Sequence, residues 1–107
     1  MGAKKADHGL DAQLVKDIDT VFDGDGAICD SLDFSRETWH KLNGNNGVKK
    51  EKCLAIVKAF FNFLSDDDNE EDDGVYDAYF KQMRDKYAED RLNHNFAKFV
   101  MPLDLSN

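Results

Sequence analysis

Four aspartates surround two glycines in the first third of the chain, and carboxylates around a glycine are what a calcium-binding loop requires. The four are Asp19, Asp23, Asp25 and Asp30. If Gly26 is the turn glycine of such a loop, Val21 and Leu32 fall on ligand positions. If Gly24 is the turn glycine, Gly26 replaces the apolar residue and the bidentate glutamate is missing. Because each choice of turn glycine leaves two mismatches with the calcium-loop pattern, the sequence predicts helix caps in an acidic loop and no metal site.

Motifs of catalytic centres are also missing from the sequence. The three histidines, His8, His40 and His94, are far apart, and no serine, cysteine or aspartate lies in a nucleophile motif. The chain has no Gly-rich phosphate loop and no Cys-x-x-Cys spacing. Because acid–base catalysis needs positioned pairs of groups, we expect a protein that is not an enzyme and that uses no cofactor.

The net charge of −8 is unevenly distributed along the chain. Residues 1–65 carry nine basic and ten acidic side chains, whereas residues 66–107 carry five and twelve. Residues 34–60 contain six basic side chains and only two acidic ones. An evenly spread charge of this sign repels nucleic acid and membranes. This distribution instead gives a basic centre and an acidic C-terminal part, so nucleic acid is not excluded as a partner.

Length and composition indicate one domain, residues 1–107, with a hydrophobic core. The chain is 41 % hydrophobic and contains eight phenylalanines, and domains typically have about 100–150 residues. No apolar run is long enough to span a membrane, and none follows the N-terminal lysines, so we expect a cytoplasmic protein without a membrane partner. Cys29 and Cys53 lack metal-type spacing and have apolar neighbours, which predicts two buried, reduced thiols.

In the N-terminal part, apolar spacing and capping residues predict helices. Leu14, Ile18 and Val21 recur at helical spacing after Asp11, which can cap the first helix. Ser35 can cap a two-turn helix that turns Trp39 and Leu42 inward and ends at Asn43-Gly44. The many apolar residues from Val48 to Leu64 predict a central helix that is buried on most sides.

The C-terminal part begins after residues 66–73, where seven of eight positions are acidic. Four large side chains then recur at helical spacing and form either part of the core or the interface of a homodimer: Tyr76, Phe80, Met83 and Tyr87. Lys86 and Asp90 are spaced for an exposed ion pair. We expect a break near residues 93–95 and the end of the last helix at Pro102.

Together these patterns predict an all-α protein, a compact bundle of five or six helices. No segment alternates apolar and polar residues over the length of a strand. Within the single domain, residues 10–64 form a helical core, residues 65–74 an acidic linker or loop, and residues 75–103 a C-terminal helical extension.

The core contains a segment, residues 28–58, that resembles the helix-turn-helix of phage repressor/Cro-type (lambda-repressor-like) proteins. In that family a short helix ends in an apolar residue, a turn residue, a second apolar residue and a capping serine or threonine. Here these four are Leu32, Asp33, Phe34 and Ser35. Cys29 stands where the family has a small alanine, and Asp33 stands where it has a turn glycine. The resemblance implies that Ile28, Leu32, Phe34, Trp39, Leu42 and Leu54 belong to the core.

The resemblance also implies a function, a small DNA-binding regulator that is repressor-like or antitoxin-like. The second helix would lie in the major groove of duplex DNA, with Arg36 reading a guanine edge. Asn43, Asn45, Lys49 and Lys50 would contact phosphates. The complete set of implied DNA-binding residues is Ser35, Arg36, Glu37, His40, Lys41, Asn43, Asn45, Lys49 and Lys50.

The acidic C-terminal part supports a second hypothesis, a phage-type inhibitor of the anti-CRISPR or anti-restriction class. Such a protein, acting in the host cytoplasm, would bind a protein target and imitate nucleic-acid phosphates with its carboxylates. The residues concerned are Asp66, Asp67, Asp68, Glu70, Glu71, Asp72, Asp73, Asp77, Asp85, Glu89 and Asp90. An inhibitor that only imitates nucleic acid does not need the basic centre, so the role of that centre distinguishes the two hypotheses.

Overall fold

The computed structural model of the protein describes residues 8–22, 24–44, 46–66 and 76–102, without the side chains of residues 76–78. In chain order its elements are β1 (His8–Leu10), α1 (Ala12–Val21), α2 (Asp25–Leu32), α3 (Arg36–Asn43), α4 (Lys50–Ser65), α5 (Tyr76–Lys86), α6 (Ala88–Leu92), a 3-10 turn (Ala97–Phe99) and β2 (Val100–Pro102). The described part is therefore mostly helical, and the predicted all-α bundle is confirmed.

The first helix begins where the sequence predicts. The Asp11 carboxylate accepts hydrogen bonds from the backbone N–H groups of Gln13 and Leu14. These are donors that a helix start leaves without a partner in the helix. Leu14, Ile18 and Val21 are buried, so one face of α1 packs on the core as its apolar spacing predicts.

The longest helix, α4, is the central one. It packs against α2, α5 and both strands. Its start, Lys50, lies two residues beyond the predicted Val48 because Val48 forms an isolated bridge with His8. The buried side chains of α4 are Cys53, Ile56, Val57, Phe60, Phe61 and Leu64.

The C-terminal helices pack into the same core as the N-terminal ones. Phe80, Met83 and Tyr87 are only 2 %, 5 % and 4 % exposed, and the ring centroid of Phe80 lies 5.5 Å from that of Phe63. The interpretation of these three residues as a homodimer interface is therefore wrong, because their own chain covers them. The side chain of Tyr76 lies outside the described residues.

The last segment of the described chain departs from the predicted helix. α6 ends at Leu92, which confirms the break near residues 93–95. Pro102 does not close a helix; it is the last residue of β2, which pairs antiparallel with β1. His8 also bridges to Val48, with N···O distances of 2.7 and 3.0 Å. Strands of three residues are too short to show an alternating pattern in the sequence.

One buried carboxylate joins the N-terminal and C-terminal halves. Asp17 is 5 % exposed and accepts hydrogen bonds from Lys86 Nζ at 2.6 Å, from the Tyr87 hydroxyl and from Gln13 Nε2 at 3.0 Å. Burial acts to raise the pKa of the Asp17 carboxyl, but these hydrogen bonds and the Lys86 charge outweigh it and lower the pKa. Lys86 thus pairs with Asp17 and not, as its spacing predicts, with Asp90.

The Asp17 interactions predict a stability that depends on pH. Because folding lowers the pKa of Asp17, its contribution is complete above the ordinary aspartate pKa of about 4 and is lost as the pH falls through the folded value. At pH 7 we expect Asp17→Asn to lower the free energy of unfolding by about 2 kcal/mol, since it weakens buried hydrogen bonds. Urea unfolding at several pH values measures this.

The control is Asp19→Asn, a substitution of an exposed residue on the same helix, which should change the free energy of unfolding by less than about 0.5 kcal/mol. The difference between Asp17→Asn and the wild type should also shrink in acid. Equal stability of the two proteins at neutral pH would contradict this account of Asp17.

Candidate nucleic-acid interface

A turn at Asp33 ends α2 and leads into α3. Asp33 adopts the left-handed conformation, φ 61° and ψ 57°, and its backbone N–H donates to the carbonyl of Cys29. The N–H of Phe34 donates to the same carbonyl at 3.2 Å. Asp33 thus ends α2 in the conformation that glycine adopts most easily, at the position where the resembling family has a glycine.

The start of α3 is fixed by its predicted cap. Ser35 Oγ accepts a hydrogen bond from the backbone N–H of Thr38 at 3.1 Å and lies 3.0 Å from Thr38 Oγ1. The Ser35 hydroxyl is therefore occupied within the helix. Ser35 therefore caps α3, and the DNA contact that the resemblance implies for it stays a prediction.

A buried tryptophan holds α3 against α2. Trp39 has no exposed surface, and its Nε1–H donates to Asp25 Oδ1 at 3.1 Å. The ring packs edge-on to Phe34, with a centroid distance of 6.1 Å, and Leu42 is 4 % exposed. One edge of α3 is thus buried as predicted, and its opposite face points to solvent.

The exposed face of α3 carries the predicted reading residues. Arg36, Glu37, His40 and Lys41 are all exposed. Lys41 Nζ lies 3.8 Å from Glu37 Oε2, and His40 Nε2 lies 3.9 Å from Asp25 Oδ2. Pairs this exposed contribute little to stability, so a ligand can displace them at small cost.

Arg36 lies alongside α2. A Cβ atom added at Gly26 would lie 2.9 Å from Arg36 Nη2, which is closer than a real Cβ contact. The absence of a side chain at Gly26 therefore leaves the space that the guanidinium uses. Arg36 is the first residue of α3, where the resemblance places its base-reading residue.

A shallow cavity of about 200 Å³ lies between the end of α3 and the first turn of α4. Six residues line this cavity, and three of them are lysines: Thr38, Lys41, Gly47, Val48, Lys49 and Lys52. Gly47 has φ 93°, a conformation that favours glycine, and the bridge to His8 holds Val48 in place. We call this the lysine cavity. Its charge and its position next to α3 suit a phosphate group.

The structure brings some of the predicted phosphate-contacting residues together and leaves others apart. Lys49 lines the lysine cavity, whereas Lys50 and Asn43 are exposed and are not among its lining residues. Asn43 Nδ2 donates weakly to the Trp39 carbonyl at 3.4 Å. Asn45 lies outside the described residues. Lys52 and Thr38 also line the cavity, but they are not among the residues predicted from the sequence. The three-residue spacing of Lys49 and Lys52 could have indicated Lys52.

The acidic surface of the second hypothesis is only partly described. Asp66, Asp85 and Glu89 are exposed. Asp90 is not a free carboxylate, because its Oδ1 accepts hydrogen bonds from Asn95 Nδ2 and Lys98 Nζ, each at 3.1 Å. The other predicted residues, or their side chains, lie outside the described part: Asp67, Asp68, Glu70, Glu71, Asp72, Asp73 and Asp77.

Both cysteines are free and buried, as predicted. Burial raises the pKa of the Cys53 thiol to about 11. Burial also raises the pKa of Cys29, whose neighbour Arg36 acts in the opposite direction. A thiol is nucleophilic only as the thiolate, so neither cysteine is suited to chemistry near neutral pH.

Among the described residues, no group of three or more histidine, cysteine, aspartate or glutamate side chains is arranged to hold a metal ion. None of the helices in that part of the chain is long and apolar enough to cross a membrane.

Comparison with known proteins finds no family model that matches the chain and no curated protein or solved structure with significant similarity to it.

The left-handed turn at Asp33 generates a test of the α2–α3 geometry. Replacing Asp33 with glycine should raise the free energy of unfolding by about 1 kcal/mol, because this conformation is unfavourable for a residue with a side chain. Replacing Asp30 with glycine on the exposed face of α2 is the matched control. The Asp30→Gly substitution should lower the free energy of unfolding by about 1 kcal/mol. Chemical denaturation measures both, and an Asp33→Gly protein less stable than the wild type would contradict the assigned turn.

Proposed function

We propose that this protein is a small DNA-binding regulator that places α3 in the major groove of duplex DNA and sets the lysine cavity on the phosphate backbone. The observation that carries the proposal is the pairing of an exposed, polar α3 face with a lysine-lined cavity directly beside it. Major-groove recognition needs both a helix free to enter the groove and cationic groups that fix its register.

Arg36 is the proposed base-reading residue. It lies in the first turn of α3, which is the part of a recognition helix that meets base edges, and its planar guanidinium can donate two hydrogen bonds to guanine. The space at Gly26 accommodates the Arg36 guanidinium next to α2. Glu37, His40 and Lys41 supply the remaining polar groups of the reading face.

The lysine cavity is the proposed phosphate-contacting site. Lys41, Lys49 and Lys52 place three cationic groups around one shallow depression. Each lysine that neutralises a phosphate releases condensed counterions, which is the main source of sequence-independent affinity for DNA. Thr38 adds a hydroxyl that can bond to a phosphate oxygen.

The net charge of −8 is compatible with this function. Exposed charges farther apart than about 8 Å are largely screened at physiological salt, and most of the excess acidity lies in residues 66–107. The acidic part favours a role towards a protein partner, and inhibition of a nucleic-acid enzyme remains the competing proposal.

The base-reading role predicts the effect of removing the guanidinium. On a duplex selected from a randomised pool, Arg36→Ala should weaken binding by about 1–3 kcal/mol and relax the preference at one base pair. Arg36→Lys should also weaken this preference, because an ammonium lacks the rigid planar fork of the guanidinium. Fluorescence anisotropy with single-base variants of the duplex measures both effects.

Lys16→Ala is the control for Arg36, because Lys16 is an exposed cation on α1. It should leave the base preference unchanged. If Arg36→Ala binds the selected duplex as tightly and as selectively as the wild type, Arg36 is not the reading residue.

The phosphate-contacting role predicts a different signature for the lysine cavity. Lys52→Gln should weaken binding to specific and unrelated duplexes alike and lower the slope of log affinity against log salt by roughly 1. Lys58→Gln, farther along α4 and outside the cavity lining, should leave the slope unchanged. Equal slopes for Lys52→Gln and the wild type would remove the lysine cavity from the interface.

A further inference from the structure

Gly26 is a glycine that the backbone of α2 does not require. It is the second residue of that helix, and the glycines with positive φ among the described residues are Gly24 and Gly47. The backbone conformation of Gly26 is therefore one that any residue adopts, and alanine favours a helix more than glycine does. A physical reason for glycine at this position must come from what occupies the space beside it.

The space beside Gly26 contains the end of the Arg36 side chain. A Cβ atom at Gly26 would lie 2.9 Å from Arg36 Nη2 and 3.9 Å from Arg36 Cζ. The shorter distance is closer than a real Cβ contact, so alanine at this position would displace the guanidinium. The displaced group is the far end of a flexible and exposed side chain, and its movement does not require the helices to move.

The Arg36 guanidinium uses none of its hydrogen-bond donors within the described part of the protein, where it forms no hydrogen bond or ion pair. Its five N–H groups are thus available to a ligand. Burial raises the pKa of the Cys29 thiol, and the charge of Arg36 opposes this effect. Cys29 follows Gly26 by three residues, so both observations place the guanidinium along the same side of α2.

The residue before Gly26 contacts the same edge of α3. The Asp25 carboxylate accepts a hydrogen bond from Trp39 Nε1 at 3.1 Å, and its other oxygen lies 3.9 Å from His40 Nε2. Arg36, Trp39 and His40 lie within about one turn of each other on α3. Two consecutive residues of α2 therefore lie against the part of α3 that carries two of the proposed reading side chains.

We propose that Gly26 is a specificity-determining positioning residue, because the space that it leaves holds the Arg36 guanidinium where its free donors can meet a base edge. This inference rests on the proposed DNA-binding function. Bidentate recognition needs two N–H groups directed at one base. A guanidinium that is already held beside α2 loses less conformational freedom on binding than one that rotates freely. Gly26 acts through Arg36 and needs no contact with DNA itself.

The positioning is tested first without DNA, by nuclear magnetic resonance of Gly26→Ala. The Arg36 Nε–H signal should shift, whereas the midpoint of urea unfolding should equal that of the wild type or exceed it, because alanine is the better helix former. Ser31→Ala is the matched control, since Ser31 is an exposed residue of the same helix, and it should leave the Arg36 signal unchanged. An unshifted Arg36 signal in Gly26→Ala would overturn the proposal. A lower urea midpoint would also overturn it, because the fold itself would then need the glycine.

The effect on specificity is tested with the selected duplex and its single-base variants. A good bidentate contact prefers its base by roughly 5- to 150-fold, and Gly26→Ala should reduce the preference of the wild type at one base pair at least about threefold. In the Arg36→Ala background, Gly26→Ala should cause no further loss, because substitutions that act through one group are not additive. An undiminished preference in Gly26→Ala, or a further loss in the Arg36→Ala background, would overturn the role of Gly26 and leave DNA binding intact.

Failure of the proposed function gives a different result. A wild-type protein that binds no duplex would overturn DNA binding and, with it, the specificity role of Gly26. The Arg36 signal in the absence of DNA reports on the positioning in either case.

Discussion

The burial of Trp39 is the constraint on which the proposed interface depends. A helix of eight residues is too short to be stable alone in water, so tertiary packing must hold α3 in place. Trp39 supplies that packing with its whole side chain, and its Nε1–H bond to Asp25 fixes the rotation of α3 on α2. With that edge buried, Arg36, His40 and Lys41 remain exposed on the rest of the helix.

The second constraint is the length of α4. Its first turn contributes Lys52 to the lysine cavity, and its last residue, Ser65, accepts a hydrogen bond from Arg91 of α6. At about 1.5 Å per residue, the helix separates these two positions by roughly 20 Å. The lysine cavity and the contact with α6 therefore lie at opposite ends of the central helix.

The parts of the fold that could be predicted are those with local causes. Asp11 and Ser35 cap helices through bonds to residues two or three positions away, and the inward positions of Trp39 and Leu42 follow from helical spacing. The exposed face of α3 follows from the same spacing. The left-handed conformation of Asp33 was not predicted; the resemblance only shows that Asp33 replaces the turn glycine of that family.

The parts that could not be predicted depend on contacts between distant residues. Asp17 and Lys86 are sixty-nine positions apart, so no local spacing indicates their ion pair. The apolar spacing of Phe80, Met83 and Tyr87 predicts a buried face but not what covers it, which is why a homodimer interface could not be distinguished from a core. The lysine cavity likewise lies next to a long-range contact, the bridge between Val48 in its lining and His8, which no local spacing indicates.

The most direct test of the central claim is a map of backbone amide shifts in the wild-type protein as duplex DNA is added at low salt. The account predicts shifts concentrated in α3 and around the lysine cavity, at Arg36, His40, Lys41 and Lys49, with none in α5 or α6. Shifts confined to the C-terminal helices, or no shifts at any concentration of duplex, would contradict a DNA-reading role for α3.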